Sequence, residues 1–396
     1  MNFCRFLRIL WLTLSVTAGV DALKAQAPEF SLLTCGPGSE MFQLEGHTAL
    51  RIQMPDGRDA VANWGVFDFN SPGFYYRFVK GETDYMIGIE PYGMFEMQYR
   101  MEGRSVTSQR LNLTEAQAEE LFRLIEENCR PENRVYRYNY VLDNCATRPL
   151  ALIEKALAVS GDSLMVDFDV AETTFRGEMR RYHRNYPYYQ LFIDFALGSV
   201  IDRPVTLREQ AFAPLFFERL AANAVIVSAD GSTRPLVEST IQILPQTAPE
   251  SMEGLGSPMV LAILILVFTG RVAWKSVRRG RIYKVWYALF YLLIGLLGAI
   301  LTFLIFVSVH EATSPNVNYF WLNPLLLMVP LLIWSRRFVR FMFWLMMANT
   351  CAVVAFYIAL MISGQSINAA FIPLTVADLL LSGVYIYLNR KCFPRK

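Results

Sequence analysis

The last third of the chain is a succession of apolar runs separated by short connectors. A helix that spans a membrane needs about 20 predominantly apolar residues. Hydrophobic residues make up 54% of the chain and its mean hydropathy is +0.28, which is high for a soluble protein. The sequence therefore predicts an α-helical membrane domain over 251–396. About five spans are predicted, at 258–274, 285–309, 320–334, 341–363 and 369–388.

The charges of the connectors indicate how these spans are oriented. Lys and Arg are concentrated in the first and third connectors and in the C-terminal tail, whereas connectors 310–319 and 364–368 contain neither. Because basic connectors stay in the cytoplasm, the part of the chain that precedes the spans is expected outside. Five spans, the first entering from outside, agree with every connector.

The N-terminus predicts the same location independently. Arg5 and Arg8 precede a short apolar core, and Ala25-Gln26-Ala27 is a typical cleavage site. These features indicate a signal peptide over 1–27, with an uncleaved anchor as the alternative. Either way, we expect residues 28–250 to be exported.

The exported part has the mixed pattern of an α+β domain. Alternating residues predict strands, and a capping box at Thr114 and Gln117 predicts the start of a helix. A second helix is expected to begin at Cys145, and an Asp230-Gly231 turn closes a final hairpin. The predicted strands include 47–54, 59–67, 104–112 and 135–140, and the predicted helices include 145–158.

Three cysteines fall in the exported domain: Cys35, Cys129 and Cys145. Exported cysteines tend to pair, and a Cys35–Cys129 disulfide would leave Cys145 as a free thiol. At the start of a helix, the positive end of the dipole stabilises a thiolate. Lowering the pKa from about 8.5 to about 7 takes roughly 2 kcal/mol. Position alone also fits a small buried residue that packs the helix onto the sheet.

A histidine upstream favours the catalytic interpretation. His47 begins a predicted strand after Gly46, and Asn63 on the next strand is the first candidate to orient its ring, with Asp68 second. His183 lies in a basic aromatic stretch that reads as surface, together with Arg176 and its neighbours.

Several other classes of site have no support. His and Cys never occur at metal-ligand spacing, so no metal or other cofactor is expected. The sequence contains no G-x-S-x-G motif, so a serine nucleophile is not expected. The net charge of +2 does not favour a nucleic-acid partner.

The order of His before Cys resembles that of the circularly permuted papain-like enzymes, a group that includes lecithin:retinol acyltransferase. A closer resemblance covers nearly the whole chain. It is carried by 31–52 (SLLTCGPGSEMFQLEGHTALRI), 63–85 (NWGVFDFNSPGFYYRFVKGETDY), LNLTEAQ, 136–150 (YRYNYVLDNCATRPL), DFALGSVIDRP and 316–327 (NVNYFWLNPLLL). These segments resemble Lnb, the Bacteroides-type lipoprotein N-acyltransferase family. Where that family often has an aromatic residue before Gly-His, this chain has Glu45.

The resemblance implies a permuted papain-like domain over 28–250 that N-acylates lipoproteins. It also implies a multi-pass protein of the bacterial inner membrane, with this domain in the periplasm. The catalytic cysteine and histidine of the family would correspond to Cys145 and His47. The acyl donor would be a membrane phospholipid, the acceptor a diacylated lipoprotein, and the intermediate a thioester on Cys145. Such covalent catalysis divides one difficult acyl transfer into two easier steps.

Further residues are candidates for contact with substrate. Asn144 and Arg148 flank Cys145, and an outer connector of the membrane domain could receive a lipid, through Asn316, Asn318, Trp321 and Asn323. Trp and Tyr at this depth are also ordinary interfacial anchors. Two rival functions remain at this point: a membrane-tethered cysteine amidase or peptidase acting on cell-wall peptides, and a non-enzymatic envelope receptor.

Overall fold

The computed structural model describes residues 27–68, 70–249, 252–254 and 256–390. The predicted signal peptide, except for its last residue, lies outside this part. The described chain begins with a sheet of seven strands in the order β10-β5-β1-β2-β3-β4-β6, with every neighbouring pair antiparallel. The strands are β1 (Glu29–Cys35), β2 (His47–Gln53), β3 (Asp59–Val66), β4 (Asp84–Pro91), β5 (Val106–Leu111), β6 (Val135–Arg137) and β10 (Val237–Leu244).

Alternation along the central strands divides the core between the two faces of the sheet. One face carries Leu33 and Ala49 and packs on one helix, whereas the other carries Leu32 and Leu50 and packs on several. The first face is covered by α2 (Tyr92–Glu102), which follows β4 in the chain. Helix α1 (Phe74–Lys80) lies between β3 and β4 in the chain. The second face is covered mainly by α3 (Glu115–Cys129), α4 (Thr147–Ala158) and α8 (Pro214–Asn223).

The rest of the domain connects this core to the membrane helices. Strands β7 (Ser163–Val166), β8 (Ala224–Val227) and β9 (Thr233–Pro235) form a small second sheet. Three further helices follow β7 in the chain: α5 (Phe175–Tyr182), α6 (Pro187–Ala196) and α7 (Leu207–Gln210). Thr114 caps α3 by accepting a hydrogen bond from the backbone of Gln117, as the capping box predicts.

Within the described ranges, four helices are long and apolar enough to cross a membrane. They are α9 (Pro258–Arg279), α10 (Lys284–Phe306), α12 (Val339–Ser363) and α13 (Phe371–Asn389). They overlap the first, second, fourth and fifth predicted spans. The expected architecture, an α+β domain followed by an α-helical membrane region, is therefore confirmed.

The third predicted span is not one long helix. It consists of 3₁₀ turns over Val317–Phe320 and Pro324–Leu327 and the short α11 (Met328–Leu332). It nevertheless runs antiparallel along all of α10. Tyr319 contacts Phe306 at one end of that helix, and the Lys284 ammonium donates to the Trp334 carbonyl at the other, at 3.3 Å. Prolines interrupt regular helix here, because each removes a backbone donor.

Glycines of α10 allow this broken segment to pack closely. A Cβ at Gly298 would lie 2.7 Å from the carbonyl carbon of Asn323, and one at Gly295 would lie 2.7 Å from the amide of Leu327. The backbone of the broken segment therefore packs directly against α10 at both positions. This close approach compensates for the missing length of the third span.

Candidate active site

Cys145 lies in a tight loop immediately before α4, and the Asn144 side chain holds that loop. Its amide group donates to the carbonyls of Tyr140 and Phe212, each at 2.8 Å. Its carbonyl oxygen accepts from the amides of Ala146 and Thr147. The helix begins at Thr147, so Cys145 precedes its first turn instead of starting it. With these four hydrogen bonds, Asn144 positions the cysteine.

Arg148 holds the same loop from the other side. Its guanidinium makes a two-pronged ion pair with Asp143, at 2.5 and 2.8 Å, and lies 3.4 Å from the centre of the Tyr136 ring. Both interactions fix the loop that carries the thiol. Contact of Asn144 or Arg148 with substrate stays a prediction, and their hydrogen bonding within the chain favours a positioning role.

The thiol of Cys145 lies where β2 and β3 separate. Their ladder ends at the pair Ala49–Asn63, and Gly65, at φ +88°, turns β3 away from β2. A Cβ at Gly65 would lie 3.8 Å from the Cβ of Cys145. The gap gives a side chain from the second face of the sheet access to the plane of the strands.

Several hydrogen-bond donors surround the sulfur. It interacts with the backbone amide of Thr48, with its own amide and with the Tyr138 hydroxyl. Hydrogen bonds to the sulfur favour its thiolate form, against the effect of burial.

His47 is oriented by Asn63, as the sequence predicts. Its Nε2 lies 2.6 Å from the Asn63 carbonyl oxygen, and the Asn63 amide nitrogen donates to Glu90 at 3.4 Å. Because that carbonyl oxygen can only accept, Nε2 must carry the proton, and the lone pair of the neutral ring is on Nδ1. The asparagine thus selects the tautomer in which Nδ1 can act as a base.

The ring and the thiol are not hydrogen-bonded to each other in the described chain. Cys35 pairs with His47 across the ladder, so both side chains belong to the face of the sheet covered by α2. Cys145 approaches from the other face, where it contacts the backbone of Thr48. The two side chains therefore lie on opposite faces of the sheet, near the end of the β2–β3 ladder.

Burial decides the protonation of both groups. Desolvation raises the pKa of the Cys145 thiol to about 11, against the smaller effects of the Thr48 amide and the Tyr138 hydroxyl. Desolvation also lowers the pKa of His47 to about 4, although its hydrogen bond to Asn63 opposes this change. The expectation of a helix-stabilised thiolate near pH 7 is therefore wrong for this resting state. Both groups are neutral at pH 7, and the thiol must lose its proton during the reaction.

Three residues near the site were not expected from the sequence as parts of one cluster: the buried Glu45 and His183 and the partly buried Tyr140. Glu45 and His183 are 8% and 1% exposed. Glu45 is hydrogen-bonded to Tyr140, and its Oε1 lies 3.7 Å from Nε2 of His183. His183 is therefore buried, whereas its basic neighbours in the sequence suggested a surface position. The signal in the sequence was a carboxylate directly before Gly46, where an aromatic residue is usual in the family that the chain resembles.

The predicted lipid-contact residues of the outer connector lie instead where the two regions join. Asn318 donates to the Asp194 carbonyl at 3.1 Å and Asn316 to the Phe195 carbonyl at 3.0 Å, both at the end of α6. The indole of Trp321 donates to Asn318, and Asn323 accepts from the Leu325 amide. Asn316, Asn318 and Trp321 are at most 8% exposed. These contacts favour a structural role at the joint.

Arg176 belongs to the same joint and is not solvated, contrary to the basic surface expected for 176–184. It is fully buried and pairs with Asp194 at 3.1 Å and Asp202 at 2.8 Å. Asp194 also receives the amide of Asn368, from the connector before α13, at 3.1 Å. The joint therefore fixes the α+β domain against the outer ends of the membrane helices.

The predicted disulfide between Cys35 and Cys129 does not form. Cys35 lies in the core on the α2 face of the sheet, whereas Cys129 ends α3 on the opposite face. The Cys35 thiol is hydrogen-bonded to Tyr99, and burial raises its pKa to about 12. The count of exported cysteines could not reveal that the sheet itself separates the two.

The fold and this site define a class: a membrane-anchored α+β domain with a buried cysteine just before a helix and, on a central strand, a histidine hydrogen-bonded to an asparagine. Residues 18–176 match the Lnb N-terminal periplasmic domain, and residues 250–392 match the Lnb transmembrane domain. The chain belongs to the Lnb family. It is a multi-pass membrane protein with a periplasmic domain. Comparisons with curated proteins and with solved structures give no match.

Proposed function

We propose that this protein is an apolipoprotein N-acyltransferase of the bacterial inner membrane. It moves an acyl chain from a membrane phospholipid to the α-amino group of the diacylglyceryl-cysteine of a lipoprotein. Cys145 is the nucleophile, His47 the general base and Asn63 the residue that orients the ring. The observation that carries the proposal is a donor-lined cysteine in a domain held rigidly against membrane helices. Two lipid substrates require this combination.

The first half-reaction cleaves the donor ester. As the Cys145 sulfur attacks the carbonyl carbon, its proton passes to Nδ1 of His47. In this scheme the donors that surround the sulfur, which are the amides of Thr48 and Cys145 and the Tyr138 hydroxyl, stabilise the oxyanion. The carbon–oxygen bond then breaks, His47 returns the proton to the departing lysophospholipid, and a thioester remains on Cys145.

The second half-reaction transfers the acyl chain. The neutral α-amino group of the acceptor attacks the thioester, and His47 accepts a proton from the nitrogen. The carbon–sulfur bond breaks, and the thiolate of Cys145 takes that proton from His47. The products are an amide and the starting enzyme, so no cofactor is consumed.

The test is to isolate the thioester. The full-length protein is reconstituted in phospholipid nanodiscs and analysed by intact-mass spectrometry, followed by addition of a diacylglyceryl-cysteine peptide. We expect an acyl adduct on Cys145 that hydroxylamine removes and that the peptide accepts as an amide. Cys145→Ala should abolish the adduct, whereas Cys351→Ser, which changes an exposed thiol on α12, should retain it.

Two outcomes would contradict the proposal. The first is a peptide that stays diacylated while the wild-type protein carries no adduct. The second is cleavage of cell-wall peptides by the same preparation, which would favour the amidase. An adduct that persists in Cys145→Ala would show that another residue is the nucleophile.

A further inference from the structure

Helix α1 exposes four large apolar side chains. The exposed fractions are 76% for Tyr75, 59% for Tyr76, 48% for Phe78 and 43% for Val79. We name this group the α1 patch, together with the neighbouring Met41 and Phe42, which are 57% and 60% exposed. Contiguous exposed apolar side chains of this size mark an interaction surface.

The α1 patch is attached to the outer end of a membrane helix. The Val309 amide donates to the Lys80 carbonyl at 2.8 Å, and the His310 ring lies 3.1 Å from the Phe78 carbonyl. The Tyr76 ring lies 6.1 Å from that of Phe303, in the last turn of α10. These contacts hold α1 at the level where the apolar span ends, which is the depth of the interface between lipid and water.

A row of aromatic rings connects the α1 patch with the thiol. The Phe42 ring lies 6.2 Å from that of Phe67, and the Phe67 ring 5.1 Å from that of Tyr85. Tyr85 stacks on Tyr138 at 4.4 Å, and the Tyr138 hydroxyl contacts Cys145. Aromatic contacts therefore continue from the patch, through the buried Tyr85, to the sulfur.

We propose that the α1 patch is inserted into the periplasmic leaflet and that donor phospholipid reaches Cys145 along the aromatic row behind it. The occupant is lipid because the patch continues the lipid-facing surface of α10, where Phe306 is 67% exposed. Aromatic side chains with polar edges are the ones that proteins place at this depth. Insertion of the patch is independent of the reaction, whereas the route of the donor rests on the proposed function.

Insertion is tested by photo-crosslinking in nanodiscs. Benzoylphenylalanine replaces Tyr75, or as a control Met165, which is 49% exposed on β7 and is paired there with β8. We expect about tenfold more phospholipid adduct from position 75, as for a side chain at the acyl boundary. Equal yields at the two positions would overturn insertion. A crosslink from position 75 to a second copy of the chain, in place of lipid, would also overturn it.

The route of the donor is tested by a substrate comparison. The double variant Tyr75→Ser/Val79→Ser removes two exposed side chains one helical turn apart, and Met165→Ser is the matched control. Acylation of Cys145 is measured with vesicle phospholipid and with a water-soluble short-chain ester. We expect the ratio of the vesicle rate to the soluble-ester rate to fall about tenfold in the double variant, and to be unchanged in Met165→Ser.

The outcomes separate this inference from the proposed function. An unchanged ratio in the double variant would overturn the route, whether both rates stay the same or both fall equally. If the wild-type protein forms no adduct with either donor, the proposed function fails and the route fails with it. The crosslinking result would still decide whether the patch is inserted.

Discussion

Replacing Glu45 by Gln should stabilise the protein at neutral pH. The carboxyl is buried without a balancing cation. The groups that face it are the hydroxyls of Tyr140, Tyr189, Tyr138 and Tyr182, the thiol of Cys145, the carboxyl of Glu178 and the ring of His183. Desolvation raises the pKa of Glu45 from 4.5 to about 8, although its hydrogen bond to Tyr140 opposes the change. Its Oε1 is buried without a hydrogen-bond partner.

The size of the effect follows from the two pKa values of Glu45. Because the folded-state pKa is the higher one, folding takes up a proton. The stabilisation from the protonated carboxyl is complete below pH 4.5 and is lost as pH rises towards 8. At about 1.4 kcal/mol per unit, the loss reaches about 3 kcal/mol at pH 7 and about 5 kcal/mol above pH 8. Gln does not ionise, and its amide can donate to the Nε2 of His183.

The assay is thermal unfolding of the full-length protein in nanodiscs from pH 5 to pH 9. The melting temperature of Glu45→Gln should exceed that of the wild type, by an amount that grows with pH. Glu119→Gln, at an exposed position of α3, is the control and should show no such growth. A difference that is constant with pH, or a Glu45→Gln protein less stable than the wild type at pH 8, would refute the reasoning.

Three further predictions concern the site and the membrane region. The rate at which iodoacetamide alkylates Cys145 can be followed by peptide mass spectrometry. This rate should rise about tenfold per pH unit up to pH 10, because burial raises the pKa of the thiol. A plateau by pH 8 would contradict this. Asn63→Ala should slow formation of the acyl adduct about a hundredfold, because the His47 tautomer is no longer selected. The melting temperature should stay within a few degrees of the wild type. An adduct rate within twofold of the wild type would exclude the orienting role. Gly298→Ala should lower the melting temperature, because its Cβ meets the backbone of the broken segment. The control Gly270→Ala, whose Cβ meets nothing within 4 Å, should not lower it. Similar melting temperatures for the two variants would argue against the close packing.

Features that depend on neighbours in the chain were predicted from the sequence. Four apolar runs became membrane helices, because the transfer of an apolar segment into lipid depends on its own composition and length. The capping box at Thr114 began a helix as expected, since its hydrogen bonds join residues three apart. The pairing of His47 with Asn63 was also predicted, because adjacent antiparallel strands bring such positions together.

Features that depend on distant parts of the chain required the structure. The predicted third span became a broken segment, and it packs closely on α10 because glycines of that helix admit its backbone. The outer connector became a joint because α6 presents its carbonyls there. The pKa of Cys145 was predicted in the wrong direction, since the sequence shows a helix nearby but not the burial that opposes ionisation. Composition and local periodicity by themselves determined a membrane protein with an exported α+β domain, and the positions of Cys145 and His47 made these residues candidates for its site. Only the tertiary structure decided what surrounds those two side chains, because desolvation and contact are properties of the packed chain as a whole.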